Sequence, residues 1–326
     1  TETADIFHPN TLDFIAYKDN TLLGKKRYYS IGGGEIREDN DSGLIPVEIY
    51  GEKNFSEIAM YCKSKNIRLS DYVFNHEGDD IKPFLLNVWK TMQNSIFEGL
   101  SKTGTLPGGL SVERKAQFLY NQSHIDESDI TKENRLVCAY AFAVSEANAG
   151  AGIIVTAPTC GACSVMPAAL KYMQEKKRFS DEDILRALAV GGLVGNIVKT
   201  NASVSGAVSG CQAEIGTACS MASAALCELF EMGIDQIEYA AEIAFEHHLG
   251  LTCDPICGLV QIPCIERNAF AAARALDSNM YAAFSDGTHN VTFDRVVDVM
   301  KQTGHDLPSL YKETSQGGLA AIGNEK

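Results

Sequence analysis

The sequence predicts a mainly α-helical fold preceded by a short strand-rich segment. From residue 54 onward, apolar residues recur at the three- and four-residue spacing of amphipathic helices, as at Ile58, Tyr61 and Cys62. Before residue 50 the pattern alternates at every second residue instead, which is typical of strands. We therefore divide the chain into a strand-rich region, residues 1–50, and a helical domain, residues 51–326.

The strand-rich region predicts a hairpin. Leu12, Phe14 and Ala16 alternate with their neighbours, residues 18–20 supply a turn, and residues 21–31 resume an extended pattern. Three glycines at 32–34 end it. We interpret them as a turn rather than a ligand-binding loop, because no helix pattern follows them directly.

Helices are predicted along the rest of the chain. An apolar stripe runs from Phe84 to Ile96 and is broken at Gly99. Ser180, with Asp183 three residues later, is typical of a helix N-terminal cap. Later helices are expected at residues 136–147, 164–176, 183–198, 219–230, 237–246, 269–276 and 293–301.

Composition and charge exclude several classes of protein. The 326 residues are 45% hydrophobic and 21% charged, as in ordinary globular proteins. With 28 Lys and Arg against 42 Asp and Glu, the net charge is −14, so neither nucleic acid nor an anionic membrane is an expected partner. No apolar run is long enough to span a bilayer, and the N-terminus lacks the features of a signal peptide. We expect a cytoplasmic protein, in which cysteines are free, catalytic or metal-bound.

Six of the ten cysteines have ordinary interpretations. Cys160 and Cys163 form a C-x-x-C pair, which suits half a zinc site or a redox pair, although unremarkable thiols at a tight loop are favoured. Four others fall inside helical patterns, where a free cysteine behaves as a small buried hydrophobe: Cys62, Cys138, Cys219 and Cys227.

The remaining cysteines, Cys211, Cys253, Cys257 and Cys264, lie among Gly, Pro, Asp and Thr outside the helical patterns. Three loop thiolates on one iron–sulfur cluster would leave one iron without a protein ligand, free to act as a Lewis acid. The spacing alone leaves this as one interpretation beside unligated thiols.

Small and hydroxylated residues occur next to cysteines in the sequence, at predicted helix starts. They occupy residues 149–163, 201–211 and 246–253. Backbone N–H groups at a helix N-terminus, with hydroxyls beside them, suit a carboxylate. The sequence therefore predicts a small anionic substrate.

Several stretches together resemble one known family. They are residues 28–34, 155–159, 201–207, 210–212, 218–221, 246–267 and 313–320. These resemble the bacterial-type, iron–sulfur-dependent L-serine dehydratases (L-serine deaminases), which do not use pyridoxal phosphate. The resemblance covers nearly the whole chain.

The resemblance implies a [4Fe–4S] cluster held by Cys211, Cys253 and Cys264, with Cys257 a bystander. It also implies a catalytic role for His247, for which a hydrogen-bonded core histidine is the structural alternative. Substrate-binding residues follow from the matching motifs, each with N-terminal capping as its structural alternative: Thr156, Thr159, Asn201, Ser203 and Ser205.

The implied reaction is the β-elimination of water from L-serine, giving pyruvate and ammonia, a step of amino-acid catabolism that can feed gluconeogenesis. Hydroxide is a poor leaving group, and an open iron would stabilise its departing charge. A base must also remove the Cα proton.

Three departures from the family pattern bear on activity. Complete single-chain members carry a longer N-terminal α+β region with a Ser-Ser-Ser-His-Thr-like motif, so residues 1–50 would be its strand-rich remnant. Residues 321–326 hold no cysteine that could reach back to the cluster. Val208, Ser209 and His248 replace other expected residues.

The family implies a homodimer, or a complementary β chain as partner. Two further interpretations stand beside the enzyme. One is a catalytically incomplete subunit that needs that partner chain. The other is a non-catalytic metal or electron-transfer protein.

Overall fold

A computed structural model describes residues 11–32, 34–39, 48–123, 127–313 and 317–323. The chain divides into two compact units between Glu48 and Ile49. Some residues used in the sequence analysis lie outside the described ranges. They are Gly33 of the glycine turn, residues 314–316 of the family-like stretch 313–320, and residues 324–326.

The first unit is a three-stranded antiparallel sheet in the order β1–β2–β3. Its strands are β1 Thr11–Lys18, β2 Thr21–Gly32 and β3 Glu35–Glu38. Asp19 and Asn20 form the first turn with φ of 49° and 62°, a conformation that Asp and Asn tolerate well. The predicted hairpin is confirmed. The third strand was missed because its four residues, Glu-Ile-Arg-Glu, carry almost no apolar alternation.

The second unit is helical. Its helices are α1 Phe55–Lys65, α2 Leu69–Glu77, α3 Ile81–Ser101, α4 Ala116–Asn121, α5 Asp129–Ala149, α6 Val165–Lys177, α7 Asp181–Asn201, α8 Gly206–Ser209, α9 Thr217–Leu229, α10 Ile234–Glu246, α11 Cys264–Ala283, α12 Phe293–Asp306 and α13 Leu319–Gly323. A π-helical turn, Gln212–Gly216, precedes α9. The mainly α prediction is confirmed. No helix in the described ranges is both long enough and apolar enough to cross a bilayer.

Helix α9 is the centre of this unit, because each of its residues is buried. Helices α6, α7, α10 and α11 pack around it. Its sequence is rich in Ala, Ser and Cys, so neighbouring helices approach it on all sides. Cys219 and Cys227 lie fully buried within it, as the helical pattern predicted.

Helix boundaries depend on caps and on packing. Ser180 accepts a hydrogen bond from the Asp183 N–H, and the Asp183 carboxylate accepts from Ser180, which confirms the predicted cap of α7. The predicted break at Gly99 is wrong, because α3 continues to Ser101. A Cβ atom on Gly99 would lie 2.0 Å from the Ala143 carbonyl oxygen of α5. The glycine therefore permits close helix packing rather than ending a helix.

We predict that Gly99→Ala lowers the free energy of unfolding by at least about 2 kcal/mol, because the added methyl group forces α3 and α5 apart. Gly192→Ala is the matched control: Gly192 also lies inside a helix, but a Cβ there meets nothing within 4 Å. That variant should gain about 0.5–1 kcal/mol from helix propensity. Chemical denaturation measures both, and equal changes would contradict the packing role of Gly99.

Candidate functional site

Three cysteines from separate segments meet inside the helical unit. Cys211 directly precedes the π-helical turn, Cys253 lies in the loop after α10, and Cys264 is the first residue of α11. Their exposed fractions are 4%, 5% and 9%. The thiols of Cys211 and Cys253 hydrogen-bond to each other, and Cys264 lies within electrostatic range of Cys211. The site is therefore assembled from three segments within residues 211–264.

The surroundings of the Cys253 and Cys264 thiols favour their protonated forms. The hydrogen bond with Cys211, followed by burial, raises the pKa of the Cys253 thiol far above its usual range. Burial, followed by the charge of Cys211, raises the pKa of Cys264 as well. A soft metal ion that binds these thiols displaces their protons, because the thiolate is the ligand. The donor chemistry therefore fits a thiolate-ligated metal group.

A carboxylate shares the site with the thiols. Glu214 lies in the π-helical turn, where its Oε2 accepts a hydrogen bond of 2.5 Å from the Thr159 hydroxyl and its Oε1 lies 3.5 Å from the Cys253 Sγ. Burial raises the pKa of Glu214 to about 7. We did not predict this residue. The available signal was a single acidic side chain three positions after Cys211 in a stretch of small and apolar residues.

Two glycines leave the space that Glu214 and Cys253 occupy. A Cβ on Gly206 would lie 2.3 Å from Glu214 Oε1 and 2.9 Å from Cys253 Sγ. A Cβ on Gly161 would lie 2.8 Å from Glu214 Oε2. Gly206 belongs to the Ser- and Asn-rich motif at 201–207 that the sequence singled out. In this motif Gly206 therefore contributes to the site by its lack of a side chain, which leaves room for Glu214 and Cys253.

Arg267 and Asp254 join the segments that carry Cys253 and Cys264. From α11, Arg267 donates to the Thr252 carbonyl at 2.7 Å and to the Asp254 carboxylate at 3.2 Å. Arg267 also donates to the Cys211 thiol. The other oxygen of Asp254 accepts from the Leu319 N–H at 2.9 Å, which attaches α13 to the same point.

Gln212 holds the segment around Cys211 in place. Its side-chain Oε1 accepts from the Gly250 N–H at 2.9 Å and from the Thr303 hydroxyl at 3.0 Å, and its Nε2 donates to the Ser209 carbonyl. The loop before Cys253 and helix α12 are thereby tied to the π-helical turn.

Asn268 does the same for Cys264. Its Nδ2 donates to the Cys264 carbonyl at 2.9 Å and to the Gly161 carbonyl at 2.6 Å. Its Oδ1 accepts from the Ser164 N–H and hydroxyl. The start of α11 is thus joined to the turn at Cys160–Ala162 and to the start of α6.

The other predicted site residues take different places. Thr159 is buried and bonded to Glu214, whereas Thr156 is exposed. Asn201 donates to the Lys53 and Ile197 carbonyls, which is a structural use of its side chain. Ser203 accepts from the Ser205 N–H, and Ser205 precedes α8. Their binding of substrate stays a prediction.

His247 lies at the C-terminal end of α10, half exposed, and its Nδ1–H donates to the Ile243 carbonyl at 2.7 Å. It lines a groove between α10 and α11. Among the described residues, the His247 ring hydrogen-bonds to the Ile243 carbonyl rather than to any of the three cysteines. Its catalytic role also stays a prediction.

Three further cysteines, Cys160, Cys163 and Cys257, differ in their exposure to solvent. Cys257 is exposed on a short turn with φ of 55°. Cys163 is buried, while Cys160 is exposed and lies within electrostatic range of Cys264 and Glu214.

In the part of the chain that the structure describes, no three His, Cys, Asp or Glu side chains are grouped to hold a single metal ion. A four-iron cluster differs, because it spreads its protein ligands over separate irons. Three converging thiols would supply ligands to three irons of such a cluster and leave the fourth iron without a protein ligand.

Comparison with known proteins identifies close relatives. The family model described as serine dehydratase alpha chain matches residues 42–320. The chain is 41% identical to an L-serine dehydratase of Haemophilus influenzae and 39% identical to one of Streptomyces coelicolor. In both comparisons the match covers 96% of this chain and 72% of the relative. An L-serine dehydratase of Helicobacter pylori is 36% identical with the same coverage.

We predict that Asp254→Ala lowers the free energy of unfolding by about 3 kcal/mol, because it leaves a mostly buried Arg267 without its carboxylate. Asp277→Ala on the exposed Arg274–Asp277 pair of α11 is the control and should cost less than about 1 kcal/mol. The carboxylates are 5% and 58% exposed, respectively. Urea denaturation compares them, and similar losses would show that the Asp254 contact does not hold these segments together.

Proposed function

This chain belongs to the serine dehydratase alpha-chain family, and we propose that it converts L-serine to pyruvate and ammonia with a [4Fe–4S] cluster held by Cys211, Cys253 and Cys264. The observation that supports the proposal best is the convergence of these three buried thiols from three segments of the chain. The substrate in this proposal, L-serine, is taken from the relatives, which are named L-serine dehydratases.

The residues present suit such a cluster. The Cys211 and Cys253 thiols hydrogen-bond to each other, and Cys264 lies within electrostatic range of Cys211. The Arg267 guanidinium donates to Cys211, where it offsets negative charge on the thiolates. When bound, a four-iron cluster with three protein ligands supplies one open iron that acts as a Lewis acid toward the substrate hydroxyl.

Glu214 is the proton acceptor that the geometry favours. Its Oε2 is held by the Thr159 hydroxyl, which leaves Oε1 turned toward Cys253 and the centre of the site. In our proposal Glu214 takes the Cα proton of L-serine at Oε1 as the Cβ–O bond breaks, and returns it to the departing hydroxide as water. The aminoacrylate that leaves tautomerises to an imine, which water hydrolyses to pyruvate and ammonia.

The loop between α7 and α8 is where we place the substrate carboxylate. Ser203 and Ser205 lie in it, half-buried, and Gly206 follows directly against Glu214 and Cys253. Hydroxyl and backbone donors of this loop would orient the carboxylate and strengthen their hydrogen bonds as charge builds at Cα. Thr159 acts through Glu214 and is a positioning residue.

We predict about four irons per chain after anaerobic reconstitution, and their loss in Cys211→Ser, Cys253→Ser and Cys264→Ser, because each change removes one soft ligand. Cys227→Ser is the control, since Cys227 is equally buried but lies inside α9 and accepts a hydrogen bond from Asn279. Iron analysis and visible absorbance measure retention. Full iron in any of the three ligand variants, or loss of iron in Cys227→Ser, would refute the assignment.

We predict that the reconstituted chain releases pyruvate from L-serine, and that Glu214→Gln lowers kcat by at least about 100-fold with iron content unchanged, as expected for loss of a general base. His247→Ala should stay within a few-fold of the parent chain. A lactate-dehydrogenase-coupled pyruvate assay under anaerobic conditions measures both.

A large loss in His247→Ala beside an active Glu214→Gln would reverse the two roles. The relatives are longer than this chain, so the assay is repeated with the additional N-terminal region of a relative supplied as a separate protein. Turnover only after that addition would identify an incomplete subunit that needs a partner chain. Intact iron without turnover in both cases would refute the proposed activity.

A further inference from the structure

A small cavity lies between the end of α5, the segment before α4 and the start of α11. Its volume is about 30 Å³, which gives room for about one or two species the size of a water molecule. Its polar lining comes from Glu113, Lys115, Glu146, Gln261 and Glu266, and the rest is apolar. The site around the three thiols uses none of these five side chains.

Two buried oxygens of this lining are available to a ligand. Glu146 is 1% exposed and Gln261 is 4% exposed. The Glu146 Oε1 accepts from the Lys115 and Ala116 N–H groups at 2.6 and 3.1 Å, and the Gln261 Nε2 donates to the Pro107 carbonyl at 2.6 Å. Within the part of the chain that the structure describes, Glu146 Oε2 and Gln261 Oε1 have no hydrogen-bond partner. Because buried polar atoms are nearly always paired, these two oxygens point to a ligand in the cavity.

The charge of the lining favours a cation. Three carboxylates, Glu113, Glu146 and Glu266, line the cavity against one ammonium group, that of Lys115. Glu113 and Glu266 are exposed, so water screens their charges, whereas Glu146 is buried. A water molecule could donate to both free oxygens, but it would leave the buried carboxylate without an opposite charge. A cation in contact with Glu146 Oε2 supplies that charge.

The size of the cavity and its donors select a monovalent cation. Mg²⁺ takes about six oxygens and Ca²⁺ about six to eight, and this cavity has no room for the waters that would complete either shell. Potassium and ammonium ions are close to water in size. We propose that the cavity binds one such cation, potassium or ammonium, through Glu146 Oε2 and Gln261 Oε1. Ammonium would be a product of the proposed reaction, so only that source of the cation rests on the proposed function.

The ion would connect the start of α11 to α5. Gln261 precedes Cys264 by three residues, and its backbone carbonyl accepts from the Ile265 N–H at 3.0 Å. Glu146 lies on α5 and holds the first residues of α4 through its other oxygen. A cation shared by the two side chains would therefore stabilise the segment that carries Cys264, and this effect can be measured without iron or turnover.

The first test is thermal unfolding of the full chain in KCl, NH₄Cl and choline chloride at equal ionic strength. Potassium or ammonium should raise Tm by at least about 2 °C over choline, which is too large for the cavity, and the rise should saturate with concentration. Glu146→Gln and Gln261→Leu should each abolish this difference between salts. Glu242→Gln is the matched control and should keep it, because Glu242 is a buried glutamate of α10 outside the cavity. Equal Tm values in the three salts, or a difference that survives Glu146→Gln, would overturn the proposal and leave water as the occupant.

The second test locates the ion. Thallium(I) substitutes for both potassium and ammonium, and its anomalous scattering in crystals of the chain should place it between Glu146 Oε2 and Gln261 Oε1. The peak should be missing in Glu146→Gln crystals, and a parent crystal without a peak in the cavity would refute the site. A larger Tm rise with NH₄Cl than with KCl would identify the product as the ligand, and the reverse would identify potassium. Neither test depends on iron or on turnover, so failure here is distinct from failure of the proposed activity.

Discussion

Three thiols and the Glu214 carboxylate lie together in one buried site, and such groups repel one another once they are ionised and removed from water. The surrounding structure opposes that repulsion. Arg267 places a cation in contact with Cys211. Hydrogen bonds of Gln212, Asp254 and Asn268 then hold the thiol-bearing segments in place, to α12, to α13 and at the start of α11, respectively. Most of these bonds run between a side chain and the backbone, so loop positions are set directly.

The dense packing around α9 brings the segments of the site together. Because α9 consists largely of small residues, α6, α7, α10 and α11 can all pack directly on it. Two of those helices then deliver site segments: α10 ends just before the loop to Cys253, and α11 begins at Cys264. Cys219 and Cys227, inside α9, behave as hydrophobic side chains. The same residue type thus has two roles, according to whether other polar groups converge on it.

Helix α11 contributes both to the site and to the packing around α9. Its first residue, Cys264, carries a thiol of the site, and Arg267 and Asn268 follow within its first two turns. The face toward α9 is occupied by small residues such as Ala271, Ala272 and Ala275, which are nearly fully buried.

Local sequence determined the features that depend on local chemistry. The three- and four-residue apolar spacing was enough to predict a mainly α fold, two-residue alternation predicted the β1–β2 hairpin, and Ser180 with Asp183 predicted the start of α7. Whether a cysteine lay inside or outside a helical pattern separated Cys219 and Cys227 from Cys211 and Cys253. The cluster ligand set itself came from the family resemblance.

Tertiary structure decided whatever depends on segments far apart in the chain. Gly99 lies inside α3, where only a residue without a side chain leaves room for Ala143 of α5. Glu214 belongs to the site because Thr159, Gly206 and Cys253 surround it. His247 lies in the groove between α10 and α11, although its motif is continuous with Cys253 in sequence. Spacing along a chain reports which face of one helix a residue occupies. Which other segment meets that face is set by packing between helices, and a single sequence carries no direct record of it.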